Sequence, residues 1–435
     1  MKPILIRGGR LVDPASGVDA PRDLLLSDGK VAAVDAPGKI KPSGKPSEIE
    51  IVDAKGLVVA PGLVDIHVHL REPGQGYKET IATGTAAAAA GGFTTVCAMP
   101  NTVPVNDSPE TTRWMIAPER GAAIRVFPIA AATRGSMGET LTEYGSLKAA
   151  GAVAVTDDGK PILGDGIMRA ALLAAARANL PVIQHAEDTR LTGGCSMNAG
   201  AIAFRLGLRG MTVEAESGLV ERDIRLLADT KDSRAHLHVA HLSTRAALDA
   251  VRRARRNGLR VTCEVTPHHF VLNEEAVGNY NTDAKMNPPL RAELDRMAMI
   301  EGILDGSIDA IATDHAPHAT HEKEQEFERA PNGITGLESA LGLTISVLHA
   351  RHSLPLSRVI ALLSTQPAHV LGLRGRGTLA VGSAADVVIF DPNKKWSFEA
   401  AASKSKSKNT PFDGWPMQGQ VQLTISEGRV AYRRE

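Results

Sequence analysis

The chain has 435 residues, 43% of them hydrophobic, enough for one large core and a smaller companion domain. Lys plus Arg and Asp plus Glu are both 49, so the formal net charge is zero, and only 3% of residues are aromatic. That balance excludes a global basic field for nucleic acid or an anionic membrane, and it leaves few rings on which bases could stack.

The first 60 residues read as short strands at 4–6, 24–26, 31–34 and 49–52. Breaks fall at Asp13-Pro14, at Asp28-Gly29 and in a Gly/Pro/Lys-rich stretch over 37–46. The opening residues meet a charge at Arg7, too soon for a secretory signal, and no apolar stretch is long enough to span a bilayer. The middle of the chain alternates apolar strands with Ala- and Leu-rich helical stretches. The strands are at 62–69, 94–98, 124–131, 152–156, 181–185, 237–241, 260–265 and 308–313; helices such as 79–90, 166–178, 244–256 and 294–304 lie between them. Eight strand–helix units predict an α/β fold, a (β/α)8 TIM-like barrel with its chemistry at the C-terminal strand ends. Strands at 385–390 and 421–425 should pair with the N-terminal ones in a small β-sandwich domain formed by both chain ends. The expected division is 1–58 with 370–435 for the small domain and 59–369 for the barrel. Lys404-Ser405-Lys406-Ser407-Lys408-Asn409 reads as a solvated loop, and 319–330, rich in Glu and Lys, as a surface loop near the mouth. Cys97, Cys195 and Cys263 are few, odd in number and widely spaced, which suits a reducing compartment and a soluble cytoplasmic protein.

Candidate metal ligands stand at the strand ends. His67 and His69 close the first strand; side chains two apart share a face, so both imidazoles can hold one ion. On that alternation Val64, Ile66 and Val68 face the helices. Asp157-Asp158 ends the fourth strand, His185 the fifth, His241 the sixth and Asp314 the eighth. Each alone also has a plain structural reading, a polar core histidine or, for Asp314, a helix cap. Together, in barrel order, they converge on one mouth, and four imidazoles with two carboxylates suit two borderline ions, zinc above all. Asp158 shares its face with Ala152, Ala154 and Thr156, as Asp314 does with Ala310 and Ala312, which points Asp158 to the axis as the bridging carboxylate. Asp157 and Lys160 stand as alternatives. His236 and His238 lie an odd number of residues before His241 and read as structural groups turned to the helices. His268 and His269 read as structural or as support behind the ligands.

At these residues the chain resembles the dihydroorotases of the amidohydrolase superfamily, over nearly its full length. The matching segments are Asp65-Ile66-His67-Val68-His69-Leu70-Arg71-Glu72-Pro73-Gly74, Gly91-Gly92-Phe93-Thr94-Thr95-Val96, Ala98-Met99-Pro100-Asn101-Thr102, Gln184-His185-Ala186-Glu187-Asp188, His241-Leu242-Ser243-Thr244, Thr266-Pro267-His268-His269, Lys285-Met286-Asn287-Pro288-Pro289-Leu290-Arg291 and Thr313-Asp314-His315-Ala316-Pro317-His318. Several also occur in allantoinases and hydantoinases; Asn332-Gly333-Ile334-Thr335-Gly336-Leu337-Glu338 favours dihydroorotase. Many superfamily members bridge their metals with a carboxylated lysine. Here Thr156-Asp157-Asp158-Gly159 is similar to the bacterial dihydroorotases that use an aspartate.

The resemblance implies one or two zinc ions per subunit, held by His67, His69, Asp158, His185, His241 and Asp314. It implies reversible cyclisation of N-carbamoyl-L-aspartate to L-dihydroorotate in pyrimidine (UMP) biosynthesis, with Asp314 as the proton carrier. Arg71, which shares the face of the first two histidines, would take the substrate carboxylate with Asn101 and His318. Asn287, Asn332 and Gly333 would contact the ring. The implied partner is a small-molecule substrate, with no nucleic acid or membrane. A homodimer and a complex with aspartate carbamoyltransferase stay open. Two rival readings are another cyclic amide hydrolase, acting on hydantoin or allantoin, and a silent scaffold for aspartate carbamoyltransferase. Such scaffolds typically lose ligands, and this chain has all six.

Overall fold

Eight short strands carry the functional half of the molecule in the computed structural model, which describes residues 2–41 and 48–435. Residues 42–46 of the predicted Gly/Pro/Lys-rich break therefore lie outside the described residues. Strands β1 (Leu63–Val68), β2 (Phe93–Ala98) and β3 (Arg125–Pro128) pair in parallel. Strand β3 continues as Ala130–Ala131 into a second parallel array. That array holds β4 (Val155–Thr156), β5 (Val182–Gln184), β6 (Leu237–Val239), β7 (Val261–Val265) and β8 (Ala310–Ile311). The chain leaving β8 returns to β1, where Val68 and His315 form a parallel bridge and His69 N–H donates to His315 O at 2.9 Å. The C-terminal ends of β1 and β8 are thereby held side by side.

The strands are buried on both faces, as parallel strands covered by helices require. Val155, Val182, Leu237 and Val239 pack outward against helical residues such as Leu172, Leu227, Leu248 and Ile303. The opposite faces meet in a tighter cluster of Val64, Ile66, Cys97, Ile129, Ala154, Ile183, Ala310 and Ala312. Side-chain oxygens start the helices that follow the strands: Thr80 accepts from Thr83 N–H ahead of Ile81–Ala90, and Thr244 from Ala247 N–H ahead of Arg245–Arg256.

Val64 and Ile66 do not face the helices, as strict alternation predicts; they belong to the inner cluster, while Val68 faces outward. The pairing of β1 with β2 slips between Asp65 and Val68, so β1 carries one extra residue there. Such a bulge resets the alternation, and His67 and His69 reach the inner side for that reason.

Both chain ends enter one further sheet. Ile4–Asp13, Val18–Ser27, Lys30–Asp35, Glu50–Asp53 and Val58–Pro61 join Val387–Ser397, Pro416–Ser426 and Arg429–Arg433 in eight strands. Its two wings share an apolar cluster that includes Ile6, Leu24, Val52, Val387 and Ile425. Buried Asp13 ties the ends together, accepting from Leu379 N–H at 3.0 Å and the Thr378 hydroxyl at 3.2 Å.

The Lys404–Asn409 run is not a solvated loop. Ser405, Ser407 and Asn409 are buried while Lys404 and Lys406 are exposed, the alternation of an extended strap. Ser405 donates to Glu79, and Ser407 to Lys78 O at 2.6 Å. The composition suggests solvent, but the period of two marks a covered edge. Cys97, Cys195 and Cys263 are free thiols, and among the described residues no helix is long and apolar enough to cross a membrane.

Candidate active site

The six expected ligands meet where the strands end, and all six are buried. His67 Nε2 lies 3.5 Å from Asp158 Oδ1 and 3.5 Å from Asp314 Oδ1. His69 Nε2 is 3.0 Å from Asp314 Oδ1 and 3.6 Å from Asp158 Oδ2. His185 Nδ1 faces His241 Nε2 at 2.9 Å, and Asp158 Oδ1 is 3.7 Å and 3.9 Å from those two nitrogens. The donors form three overlapping groups, each with its atoms within 4.8 Å of one another: His67, His69 and Asp158; His67, His241 and Asp314; Asp158, His185 and His241. His67 Nε2 has no hydrogen-bond partner among the described residues although it is buried, a costly arrangement unless a ligand takes its lone pair. Imidazole nitrogens and carboxylate oxygens around one point fit a divalent metal ion.

Local backbone geometry aims these groups. His241 and Asp314 adopt left-handed φ values of 31° and 45°, and Arg71 61°. Non-glycine residues rarely take this conformation, which costs about 1–2 kcal/mol. It turns each side chain back over the strand end. Strand β6 stops at Val239, so alternation no longer governs His241. His236 and His238 are therefore not turned to the helices, as counting back from His241 predicts. Both turn inward, onto Thr262 Oγ1 at 2.7 Å and 2.8 Å, and His238 Nε2 is 3.2 Å from Glu264 Oε2.

Each of three histidines has a partner on its other nitrogen. Glu264 Oε1 is 2.8 Å from His67 Nδ1, Asn101 Oδ1 is 2.8 Å from His69 Nδ1, and Glu187 Oε2 is 3.1 Å from His185 Nε2. Such partners set the tautomer and ring angle of a ligand. Asn101 also donates to Asp158 Oδ2 at 3.2 Å, so its amide spans two of the six candidate ligands. Glu187 stands two residues after His185, a spacing that is readable in the sequence. Glu264 is a lone carboxylate in an apolar strand, itself a signal because an unpaired buried charge is so unfavourable.

The site is strongly anionic. Burial works against ionisation of Glu264 and Glu187, but hydrogen bonds from His238 and His67, and from His185, outweigh it and hold both at about 2. Burial likewise opposes Asp158 and Asp314, and the charge of His67 pulls both below the usual carboxylate range. The compensating protons sit on His67 and His185: against the effect of burial, Asp314 and Asp158 push His67 up, and Asp158 and Glu187 push His185 up to about 10. Protons stand where a cation would be held.

Asp157 points elsewhere, accepting from Thr133 N–H at 2.9 Å and from the Thr133 hydroxyl, and Lys160 is exposed. His269 is tied to Thr266 and Pro288 O, and buried His268 has no partner on Nε2 among the described residues.

A cavity of about 270 Å³ opens above the ligands, lined also by Arg71, Asn101, Asn287, His318 and Asn332. Arg71 donates from Nε to Pro317 O at 3.1 Å, and its Nη2 is 3.3 Å from His318 Nε2. Burial lowers Arg71 to about 10, with Asp314 and Asp158 opposing, so it is cationic at neutral pH. Burial, then the charges of Arg71 and Lys78, lower His318 to about 3, so it is neutral. Asn287 donates to Glu187 Oε2 at 2.7 Å. Gly333 does not line the cavity: it packs behind His318, and its N–H donates to Lys285 O. Asn409, which nothing in the sequence marks, accepts from His318 N–H at 2.9 Å and donates to Gly333 O at 3.0 Å.

This geometry separates two adjacent aspartates. Asp158→Ala is expected to lose bound metal, measured as ions per chain by plasma emission. Asp157→Ala is expected to keep its metal and lose thermal stability. The opposite pattern would transfer the ligand role to Asp157.

Comparison with known proteins places the chain in a family. A family model described as Dihydro-orotase-like matches residues 56–247. The dihydroorotase of Citrifermentans bemidjiense is 48% identical over 431 residues, covering 99% of both chains. That of Syntrophotalea carbinolica is 49% identical over 432 residues, again covering 99% of both. Among solved structures, L-hydantoinase (dihydropyrimidinase) from Arthrobacter aurescens superposes with a TM-score of 0.86 at 25% identity, covering 99% of this chain and 96% of the other. D-hydantoinase (dihydropyrimidinase) from Thermus sp. gives 0.83 at 25%, covering 99% and 95%. The hydantoinases share the architecture, whereas the relatives named dihydroorotase share nearly half of all residues from end to end, and on that ground the chain belongs to the dihydroorotase family.

Proposed function

We propose that the chain catalyses the reversible cyclisation of N-carbamoyl-L-aspartate to L-dihydroorotate, in pyrimidine (UMP) biosynthesis. The observation that carries this reading is the meeting of four imidazoles and two carboxylates beneath a cavity edged by a buried arginine. His67, His69, Asp158, His185, His241 and Asp314 would hold the metal, one zinc ion or two, with Asp158 shared between the two positions. Bound there, the metal would supply an acidified water and would polarise the carbonyl oxygen under attack.

The protein's own groups do the rest. Arg71 receives the substrate carboxylate and so sets the ring carbonyl over the ligands. Asn101, Asn287, His318 and Asn332 shape the wall around the ring, and Gly333 supports that wall from behind. In hydrolysis the water oxygen bonds to the ring carbonyl carbon and the ring C–N bond breaks. Asp314, held ionised, takes the proton from water and passes it to the departing nitrogen. Cyclisation runs the same steps in reverse and releases water. Arg71 favours an acid-bearing ring over hydantoin, which has no carboxylate to pair with it.

The finer fold belongs to the same reading. The two parallel arrays form one closed (β/α)8 barrel over 59–369, and the eight-stranded sheet curls into the β-sandwich of 1–58 with 370–435, whose boundary the strand Val58–Pro61 carries as far as 61. Free cysteines support a cytoplasmic setting. Association with a second copy or with aspartate carbamoyltransferase would add to the activity rather than replace it, since all six ligands are in place.

The test is turnover of L-dihydroorotate, followed by loss of ultraviolet absorbance, in as-purified, chelated and zinc-restored protein. Activity should vanish on chelation and return with zinc; a folded, zinc-loaded protein without turnover would refute the proposal. Arg71→Ala should raise KM by roughly 10–100-fold, the loss of a charge-assisted contact of about 1.5–3 kcal/mol, with a smaller change in kcat. An unchanged KM would place the carboxylate elsewhere.

A further inference from the structure

A file of hydrogen bonds climbs the inner side of the strands to the candidate ligand His67. His236 Nε2 is 2.7 Å from Thr262 Oγ1, which is 2.8 Å from His238 Nδ1. His238 Nε2 is 3.2 Å from Glu264 Oε2, and Glu264 Oε1 is 2.8 Å from His67 Nδ1. The backbone N–H of His241 donates to the same Oε1 at 3.4 Å. Glu264 is only 1% exposed, and His67 and His238 are fully buried.

Chemistry allows one direction of donation. An ionised carboxylate only accepts. His67 must therefore donate from Nδ1, so that in the neutral ring that binds a metal the unpartnered Nε2 presents its lone pair to the site. His238 donates from Nε2 and accepts at Nδ1, the Thr262 hydroxyl donates to His238, and His236 donates to Thr262. Glu264 is the acceptor at which both ends of the file stop.

We propose that Glu264 is a positioning residue of the metal centre. It fixes the tautomer and ring angle of His67 and, through the His241 N–H, ties a ligand on β1 to the ligand that follows β6. His67 belongs to two of the three ligand groups, so its orientation affects both. Glu264 does not line the cavity and acts only through the ligands. The inference rests on the metal reading above.

A glutamine at 264 distinguishes this role from space filling. It offers one acceptor and one donor where the carboxylate offers two acceptors. If its oxygen faces His67, its NH2 must donate to His238. His238 then has to reverse its tautomer and donate to Thr262, whose hydroxyl turns towards His236. The file can absorb this reversal only while the Thr262 hydroxyl is present. Glu264→Gln and Thr262→Val should each weaken zinc binding little. Glu264→Gln/Thr262→Val together should weaken it by about 10–100-fold, as should Glu264→Ala.

The experiment is zinc affinity by competition with a chromogenic chelator, on full-length protein stripped of metal, with folding checked by circular dichroism. At saturating zinc, KM for L-dihydroorotate should match wild type in every variant. Wild-type affinity in the folded double variant would overturn the proposal, as would a purely additive pair of single effects. If wild-type protein itself binds no zinc, the metal reading falls, and this inference falls with it.

Discussion

Buried charge is the constraint on which the structure depends. Asp158, Asp314, Glu187 and Glu264 are ionised carboxylates buried at the ends of parallel strands. Each such ion loses several kcal/mol of hydration and is stable only with close, well-directed partners. Five histidines supply them directly, and Asn101, Thr192 and Asn287 supply further donors. Without a cation His67 and His185 carry protons in its place. The centre is thus built for positive charge, and the surrounding fold serves to hold its groups at fixed distances.

A parallel array meets this need because its strand ends lie side by side while their residues are far apart in sequence. Asp65 shows how tightly the ends are joined: on β1, it accepts from the His67 N–H of its own strand at 3.0 Å and from Thr313 N–H, just after β8, at 3.2 Å. The sheet built from both chain ends contributes at a distance. From it the chain sends the 404–409 strap across to the mouth, where Asn409 fixes His318 and Gly333. Buried lysines close the same wall, Lys323 donating to Pro331 O and Gly333 O, and Lys285 to Glu328 O and Ala330 O. The backbone behind His318 is therefore held by side chains from elsewhere.

Much of this is legible in the sequence, for a physical reason. Strands buried on both faces leave apolar runs, and polar residues that close such runs stand out; so His67, His69, His185, His241 and Asp314 can be grouped from their positions in the chain alone. Which face a residue takes is less legible. A single extra residue between Asp65 and Val68 reverses the inward set of β1, and a left-handed φ at His241 frees it from the alternation that would turn His236 and His238 to the helices. Neither leaves a mark in composition. The Ser/Lys strap reads as solvated because its lysines dominate the composition while its serines do the packing. Glu264 is easily passed over beside so many histidines, although a carboxylate inside Val261–Val265 needs a partner as much as they do.

The central claim is that these side chains form one metal centre. The most direct test is anomalous X-ray scattering at the zinc edge from crystals grown with zinc. A peak is expected within about 2.0–2.1 Å of His67 Nε2 and His69 Nε2, the ordinary zinc–nitrogen distance, and any second peak beside His185 Nδ1 and His241 Nε2. Zinc-dependent turnover in a crystal form with no peak among these residues would contradict it.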